Sequence, residues 1–179
     1  MLVPLFVTPE DGDLHAVFTR RRTDLRRHAG EISFPGGRQD PGDVDLSDTA
    51  LREAEEEIGL TRTQVSLLGE LPAVSTFVTN YVIHPFVGLI PAGMRWNASP
   101  SEVDAVLELP LDALRTGRTR TRMERRGIAF DTDAYIVGDH LIWGATARIL
   151  ESLLERAEEL LLPALPSSDL PLSPGGALG

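Results

Sequence analysis

Gly36-Gly37-Arg38-Gln39-Asp40-Pro41-Gly42-Asp43 and, after seven intervening residues, Leu51-Arg52-Glu53-Ala54-Glu55-Glu56-Glu57-Ile58-Gly59-Leu60 hold the densest information in this chain. The glycine pair lets backbone approach a ligand closely, and Pro41-Gly42 marks a turn in a loop over 38–45. Ser47–Ile58 is predicted as a helix: Ser47 or Asp45 can cap it, acids fill its first turn, and Gly59 supplies the stop. At about 100° per residue from Arg52, Glu56 falls near ~40°, Glu53 near ~100° and Glu57 near ~140°. Ala50, Ala54, Ile58 and Leu51 occupy about 160–260°, so an apolar face opposes one bearing three glutamates. Glu55 points elsewhere, to solvent. Carboxylates crowded in this way repel, and a divalent cation removes that cost. Hard oxygen ligands suit Mg²⁺ or Mn²⁺, which keep waters and bridge to phosphates. The glutamates alone fit a solvated surface helix as well. The double glycine, and Arg52 placed to pair with Glu56 and hold its rotamer, favour the metal face.

Outward from this stretch, Leu2–Thr8 and Leu14–Thr19 read as a hairpin around Glu10-Asp11-Gly12-Asp13. The chain opens on what should be a core strand, so a fuller chain is expected to carry a leading segment. Residues 20–30 are expected as a polar loop or short helix, and Ile32–Phe34 as a brief strand. Leu67–Glu70, Thr76–Val78, Tyr81–Leu89, Ala105–Glu108, Ile128–Phe130 and Ala134–Val137 are strand candidates, with a short helical turn at Asp112–Thr116. Ala145–Leu162 carries apolar residues at helical spacing. Four prolines and three glycines from Pro163 onward make residues 163–179 a tail without a core of its own. A single domain over 1–162, a mixed sheet with helices on its faces, is the expected architecture.

Composition narrows the chemistry. Without cysteine there is no disulfide framework, thiolate zinc site or thiol nucleophile. That leaves the redox compartment undetermined, with the cytoplasm as the default. No apolar run approaches the roughly 20 residues of a membrane span, and no signal peptide is visible. A net charge of −10 disfavours a dedicated nucleic-acid binder. All 17 basic residues are arginine, as a G+C-rich coding bias would give. Their placement is uneven: residues 15–38 carry net +4, 39–70 net −7 and 115–126 net +5. Cationic segments beside an anionic one fit an anionic small-molecule substrate held next to a metal. The cluster from Arg115 to Arg126 receives no role. His15, His28, His84 and His140 show no ligand spacing and read as structural or surface residues, and Trp143 as a core anchor.

Arg52-Glu53-Ala54-Glu55-Glu56-Glu57-Ile58-Gly59-Leu60 resembles the second half of the Nudix box, G-x5-E-x7-R-E-U-x-E-E-x-G-U. The first half departs from it: Asp43 stands where the first Glu belongs, and eight residues separate it from Arg52. The stretch Val17-Phe18-Thr19-Arg20-Arg21-Arg22-Thr23-Asp24-Leu25-Arg26-Arg27-His28-Ala29-Gly30-Glu31-Ile32-Ser33-Phe34-Pro35-Gly36-Gly37 is similar to the signature of the coenzyme A pyrophosphatases. Thr19, Arg21, Arg26, Gly30 and Phe34–Gly37 match it, while Val17, Phe18 and Arg22 replace Leu, Leu and Ser. The longer spacer, and Ile142-Trp143-Gly144-Ala145-Thr146-Ala147 opening the last helix, also look like that subfamily.

The resemblance implies a Nudix α/β/α sandwich. It also implies metal-dependent cleavage of coenzyme A to 4′-phosphopantetheine and adenosine 3′,5′-bisphosphate. Glu53, Glu56 and Glu57 match the metal-binding glutamates, and the Gly37 carbonyl joins them. Arg21 and Arg26, with Gly36 and Gly37, are the expected substrate contacts, since guanidinium suits phosphate. Glu56, Glu57 or Glu102, which precedes a strand, are candidates for the carboxylate that accepts a proton from water. Alternatives are another Nudix activity (ADP-ribose, a nucleotide sugar or a nucleoside triphosphate), a non-catalytic nucleotide-binding Nudix protein, and an RNA-directed role for the arginine clusters.

Overall fold

The computed structural model describes residues 1–24, 30–76, 81–125 and 127–161. The expected tail, Arg26 and His28 lie outside the described residues. The framework begins with β1 (Leu2–Val7) and β2 (Leu14–Arg21), the antiparallel hairpin expected from the Asp11-Gly12 turn. β2 runs two residues further than predicted, so Arg20 and Arg21 are strand rather than loop. β3 (Ile32–Ser33) pairs with β2 at Thr19 and Arg20, while β1 pairs with it at Leu14–Ala16. β8 (Val103–Pro110) takes the other edge of β2. β1 and β3 therefore share one edge, end to end, and the Leu2 N–H donates across the gap to the Pro35 carbonyl at 2.9 Å.

β1 also pairs in parallel with β7 (Phe86–Leu89), which pairs antiparallel with β4 (Ser66–Glu70). One parallel pair among antiparallel ones makes the sheet mixed. As a central strand β1 is buried on both faces, hence its unbroken apolar run. Leu2 and Phe6 face α1 (Leu46–Ile58), where Ala50, Ala54 and Ile58 pack; full burial of one such Ile side chain contributes about 1.5–3 kcal/mol. Val3 and Leu5 face the other way, toward Ile149, Leu150, Leu153 and Ala157 of α3 (Gly144–Leu161). The expected α/β/α sandwich is the observed fold.

Several elements depart from expectation. Tyr81–Leu89 is two strands, β6 (Val82–Ile83) and β7, broken at His84-Pro85, where proline cannot donate to a ladder. Of the strand expected at Thr76–Val78, Thr76 is not strand and Phe77 and Val78 lie outside the described residues; the strand found is β5 (Val74–Ser75), just before it, paired with β6. Ile128–Phe130 and Ala134–Val137 belong to one continuous strand, β10 (Ile128–Val137). The arginine cluster left without a role is largely β9 (Arg118–Arg125), whose every second residue from Arg118 to Glu124 is charged. That is period-2 alternation written in Arg and Thr instead of apolar residues, which a hydrophobic pattern misses. β9, β10 and β11 (His140–Trp143) form a second sheet, entered through the short α2 (Leu111–Thr116).

Candidate active site

The acidic helix is held at both ends as its sequence demands. Asp45, rather than Ser47, is the N-cap: its carboxylate accepts from the Asp48 N–H at 2.8 Å. Gly59, at φ 73°, ends the helix in the left-handed conformation, and its N–H donates to the Glu55 carbonyl. A Cβ there would lie 2.9 Å from that of Asn97. The three glutamates share one flank but differ in environment. Glu57 borders the apolar face and is 7% exposed, Glu53 keeps 17% of its side chain exposed, and Glu56 keeps 59%.

Glu57 turns toward the glycine loop and accepts the Gly36 N–H at 3.1 Å. Burial pushes its carboxyl up to about 7, against the opposing pull of that hydrogen bond; the charges of Glu53 and Glu102 add to the rise, and Arg21 counters it. Burial also raises the Glu53 carboxyl, with Arg52 opposing. Glu53 lies hard against Gly37, where any Cβ would overlap its carboxylate. Glycine at position 37 thus lets the loop backbone and the Glu53 carboxylate occupy neighbouring space; any side chain there would push the carboxylate from its present place.

Arg52 ties the site together. Its Nε and Nη2 grip both oxygens of Asp43, at 2.8 and 3.1 Å, and Nη2 also donates to the Arg38 carbonyl at 2.9 Å. Nη1 reaches Glu53 and Glu56, each at 3.1 Å. The expected Arg52–Glu56 pairing is thus part of a larger cluster. Sequence reasoning assigns Asp43 no role, yet its side chain is 3% exposed and serves as the anchor. The Arg52 guanidinium holds the Asp43 carboxyl well below the usual carboxylate range, aided by the Asp40 N–H and the Thr49 hydroxyl. This pair fastens the loop over 38–43, which follows the glycine turn, to the helix that carries the glutamates.

Arg21 reaches the same place from the sheet. The β2–β8 register slips between Arg20 and Arg21. Such an irregularity re-aims side chains. Arg20 pairs outward with Asp104 at 2.7 Å, whereas Arg21 lines the cavity and lies 3.8 Å from Glu102. The Arg21 Nε is buried and has no hydrogen-bond partner. Glu102 immediately precedes β8, as expected, and its charge is felt by both Glu53 and Glu57.

The cavity beside these groups measures about 1470 Å³. Gly36, Gly37, Arg38 and Arg21 lie on its wall, as do Tyr81, Phe130, Trp143 and the first turn of α3. The Arg38 guanidinium sits 4.6 Å above the Tyr81 ring. Trp143, expected as a core anchor, is half-buried in the cavity wall, its ring 6.3 Å from that of Phe130. His84, expected to be a structural or surface residue, lines the cavity, its Nδ1 2.8 Å from Glu70.

A hard divalent ion suits the donors present: the buried carboxylate of Glu57, raised mainly by burial and further by the charge of Glu53, the partly buried carboxylate of Glu53 beside it, and a glycine turn pressed against the latter. Among the described residues no three His, Asp or Glu side chains converge into a ready cluster. Arg52 draws Glu53 and Glu56 to itself, and Glu57 faces Gly36. Mg²⁺ needs only one or two protein carboxylates, with waters and substrate phosphates completing its octahedron.

Comparison with known proteins places this geometry in a family. The model of the NUDIX domain matches residues 2–129. A Photorhabdus laumondii protein described as an uncharacterized Nudix hydrolase NudL is 38% identical over 160 residues, covering 88% of this chain and 83% of its own length. A mutT/nudix family protein from Listeria innocua superposes with a TM-score of 0.57 at 16% identity, over 90% of this chain and 94% of that one. The NUDIX domain of Shewanella oneidensis NrtR, solved in complex with ADP ribose, gives 0.53 at 15% identity, over 87% and 86%. With a family model matching most of its length and a curated relative well above 30% identity, the chain belongs to the Nudix hydrolases.

Proposed function

We propose that the protein hydrolyses the pyrophosphate bond of coenzyme A, or of a coenzyme A derivative, to 4′-phosphopantetheine and adenosine 3′,5′-bisphosphate. One observation carries this reading. Residues from two stretches that separately resemble the coenzyme A pyrophosphatases, Arg21, Ile32, Ser33, Gly36 and Gly37 from one and Trp143 to Ala147 from the other, line a single cavity, and its glycine turn lies against the acidic helix. Glu53, Glu56 and Glu57, with the Gly37 carbonyl, would hold Mg²⁺ or Mn²⁺. Such an ion, when bound, neutralises the diphosphate and makes water a better nucleophile.

The chain's own groups supply the rest. Arg21, with its unpartnered Nε, donates to a phosphate oxygen, and Arg26 is assigned the same role. Gly36 and Gly37 let the diphosphate approach the loop backbone. Glu102 is half-exposed and paired with Arg21 across 3.8 Å, so it can take the proton of the attacking water and release it to solvent. Arg52 is a positioning residue that holds Glu53 and Glu56 through the Asp43 anchor.

A substrate panel with magnesium tests this reading, comparing coenzyme A, its acyl esters, ADP-ribose, nucleotide sugars and nucleoside triphosphates. Release of adenosine 3′,5′-bisphosphate from coenzyme A, at a kcat/KM above that for ADP-ribose, supports it. Cleavage of ADP-ribose or a triphosphate with coenzyme A left intact overturns it, and binding of nucleotide without any product assigns the protein to the non-catalytic alternative.

A further inference from the structure

The proposed reaction makes no use of Arg38, whose side chain stands on the cavity wall. Other cationic side chains there meet protein oxygens. Arg21 faces Glu102 across 3.8 Å, Arg148 donates to the Ser75 carbonyl at 2.5 Å, and His84 lies 2.8 Å from Glu70. Arg38 instead sits over the Tyr81 ring, 4.6 Å from its centroid, and among the described residues no carboxylate pairs with it. In a chain with 27 acids against 17 arginines, that leaves its charge uncompensated. An aromatic face attracts a cation but accepts no conventional hydrogen bond, so the guanidinium keeps its N–H donors for another acceptor.

Both ends of this residue are held. Its carbonyl accepts the Arg52 Nη2 at 2.9 Å, which ties the backbone to the acidic helix, and Tyr81 holds the tip. A long side chain restrained before its ligand arrives loses less entropy on binding. Arg38 follows Gly37, about 3.8 Å away between Cα atoms, and Gly37 lies against the Glu53 carboxylate. The guanidinium therefore stands within one side-chain length of the proposed metal face. Elsewhere on the wall, β10 carries Asp131 and Asp133, which repel an anion. The negative groups of a substrate are thus directed toward the glycine turn, where Arg38 is.

We propose that Arg38 holds a phosphate group of the substrate and that Tyr81 is its positioning residue. Two N–H groups of the guanidinium donate to two oxygens of that phosphate, a fork that a lysine does not reproduce. The identity of the ligand rests on the coenzyme A reading. Coenzyme A offers such oxygens in two places, the diphosphate and the 3′-phosphate of the ribose, and the arms of the test below separate them.

Calorimetry on the full chain with magnesium tests this with two probes: ADP whose phosphorus atoms are joined by a methylene group, so that it resists hydrolysis, and adenosine 3′,5′-bisphosphate. Arg38→Gln should weaken at least one of them about tenfold, as the loss of a charge-assisted hydrogen bond allows, and Arg38→Lys should recover only part of that. Tyr81→Leu should cost about threefold on the same probe, and Tyr81→Phe should keep wild-type affinity. A loss confined to the bisphosphate assigns Arg38 to the 3′-phosphate, and a loss on the methylene analogue assigns it to the diphosphate. Unchanged affinity for both probes, no measurable binding of either to wild type, or an equal loss for adenosine, which has no phosphate, overturns the proposal. In turnover, Arg38→Gln should raise KM for coenzyme A about tenfold with kcat little changed, because the contact holds substrate and transition state alike; a lower kcat at unchanged KM overturns a holding role. Cleavage of ADP-ribose with coenzyme A left intact refutes the substrate assignment and leaves Arg38 standing on the probe titrations. An enzyme that cleaves coenzyme A but whose probe affinities ignore Arg38→Gln refutes the role of Arg38 alone.

Discussion

Replacing Glu57 by Gln should make the metal-free protein more stable at neutral and alkaline pH while abolishing its turnover. The sign follows from the burial of Glu57. Its carboxyl is raised from 4.5 to about 7 in the fold, mainly by desolvation. An acid whose folded value is raised binds its proton more tightly folded than unfolded. The stabilisation is therefore complete below about pH 4.5 and is lost as pH climbs through about 7. A difference of about 2.5 units corresponds to about 3 kcal/mol at about 1.4 kcal/mol per unit. Gln is neutral at every pH and its amide oxygen still accepts the Gly36 N–H, so the variant should escape this loss. For a domain of this size about 3 kcal/mol is roughly 6–12 °C in Tm.

The assay is urea unfolding across the acid-to-alkaline range in chelator, repeated with millimolar magnesium. Wild type should weaken between about pH 4.5 and 7 relative to the variant, and magnesium should restore wild type alone, because the ion binds the ionised carboxylate. Parallel pH profiles for the two proteins, or a Gln variant less stable than wild type in mildly alkaline buffer, would refute the buried-carboxylate argument. Near-normal turnover by the variant with unchanged metal affinity would refute the ligand assignment.

Three further substitutions probe the frame around Glu57. Gly37→Ala places a methyl where the Glu53 carboxylate lies, so the carboxylate or the loop has to shift; steady-state kinetics should record a loss of roughly 10²-fold in magnesium-dependent turnover, with little change in Tm. Asp43→Asn removes the negative charge that the Arg52 fork grips and replaces one of its two accepting oxygens by an amide NH2, and should cost about 10- to 100-fold in metal affinity or activity, read by calorimetry with Mn²⁺, while the Glu53, Glu56 and Glu57 ligands remain. Gly59→Ala forces an L-residue to φ 73° with its Cβ 2.9 Å from that of Asn97, and urea unfolding should register a loss of about 1–2 kcal/mol.

The acidic helix was legible because its information is local. Cap, apolar stripe, glutamate flank and glycine stop all lie within residues 45–59, and a period of 3.6 arranges them the same way in any fold. The central strand was equally legible, since burial on both faces demands an unbroken apolar run. The second sheet was obscured because Arg118–Arg125 alternates arginine and threonine over its first five residues and carries Met123 as its one apolar side chain, so its strand character comes from pairing with Ile128–Val137 rather than from apolar content.

What the sequence by itself determined is the set of chemical groups and their local geometry: three glutamates on one helical flank, a glycine turn, and arginines upstream. Only the tertiary structure decided which of these meet. The β2 register slip sends Arg21 toward Glu102 and the cavity, Asp43 becomes the anchor of Arg52, and the first turn of α3 arrives on the same wall from far along the chain. The physical reason is separation along the chain. Helix periodicity acts over a few residues, whereas strand pairing and two-faced packing, the forces that close the cavity, act between segments whose proximity no local pattern encodes.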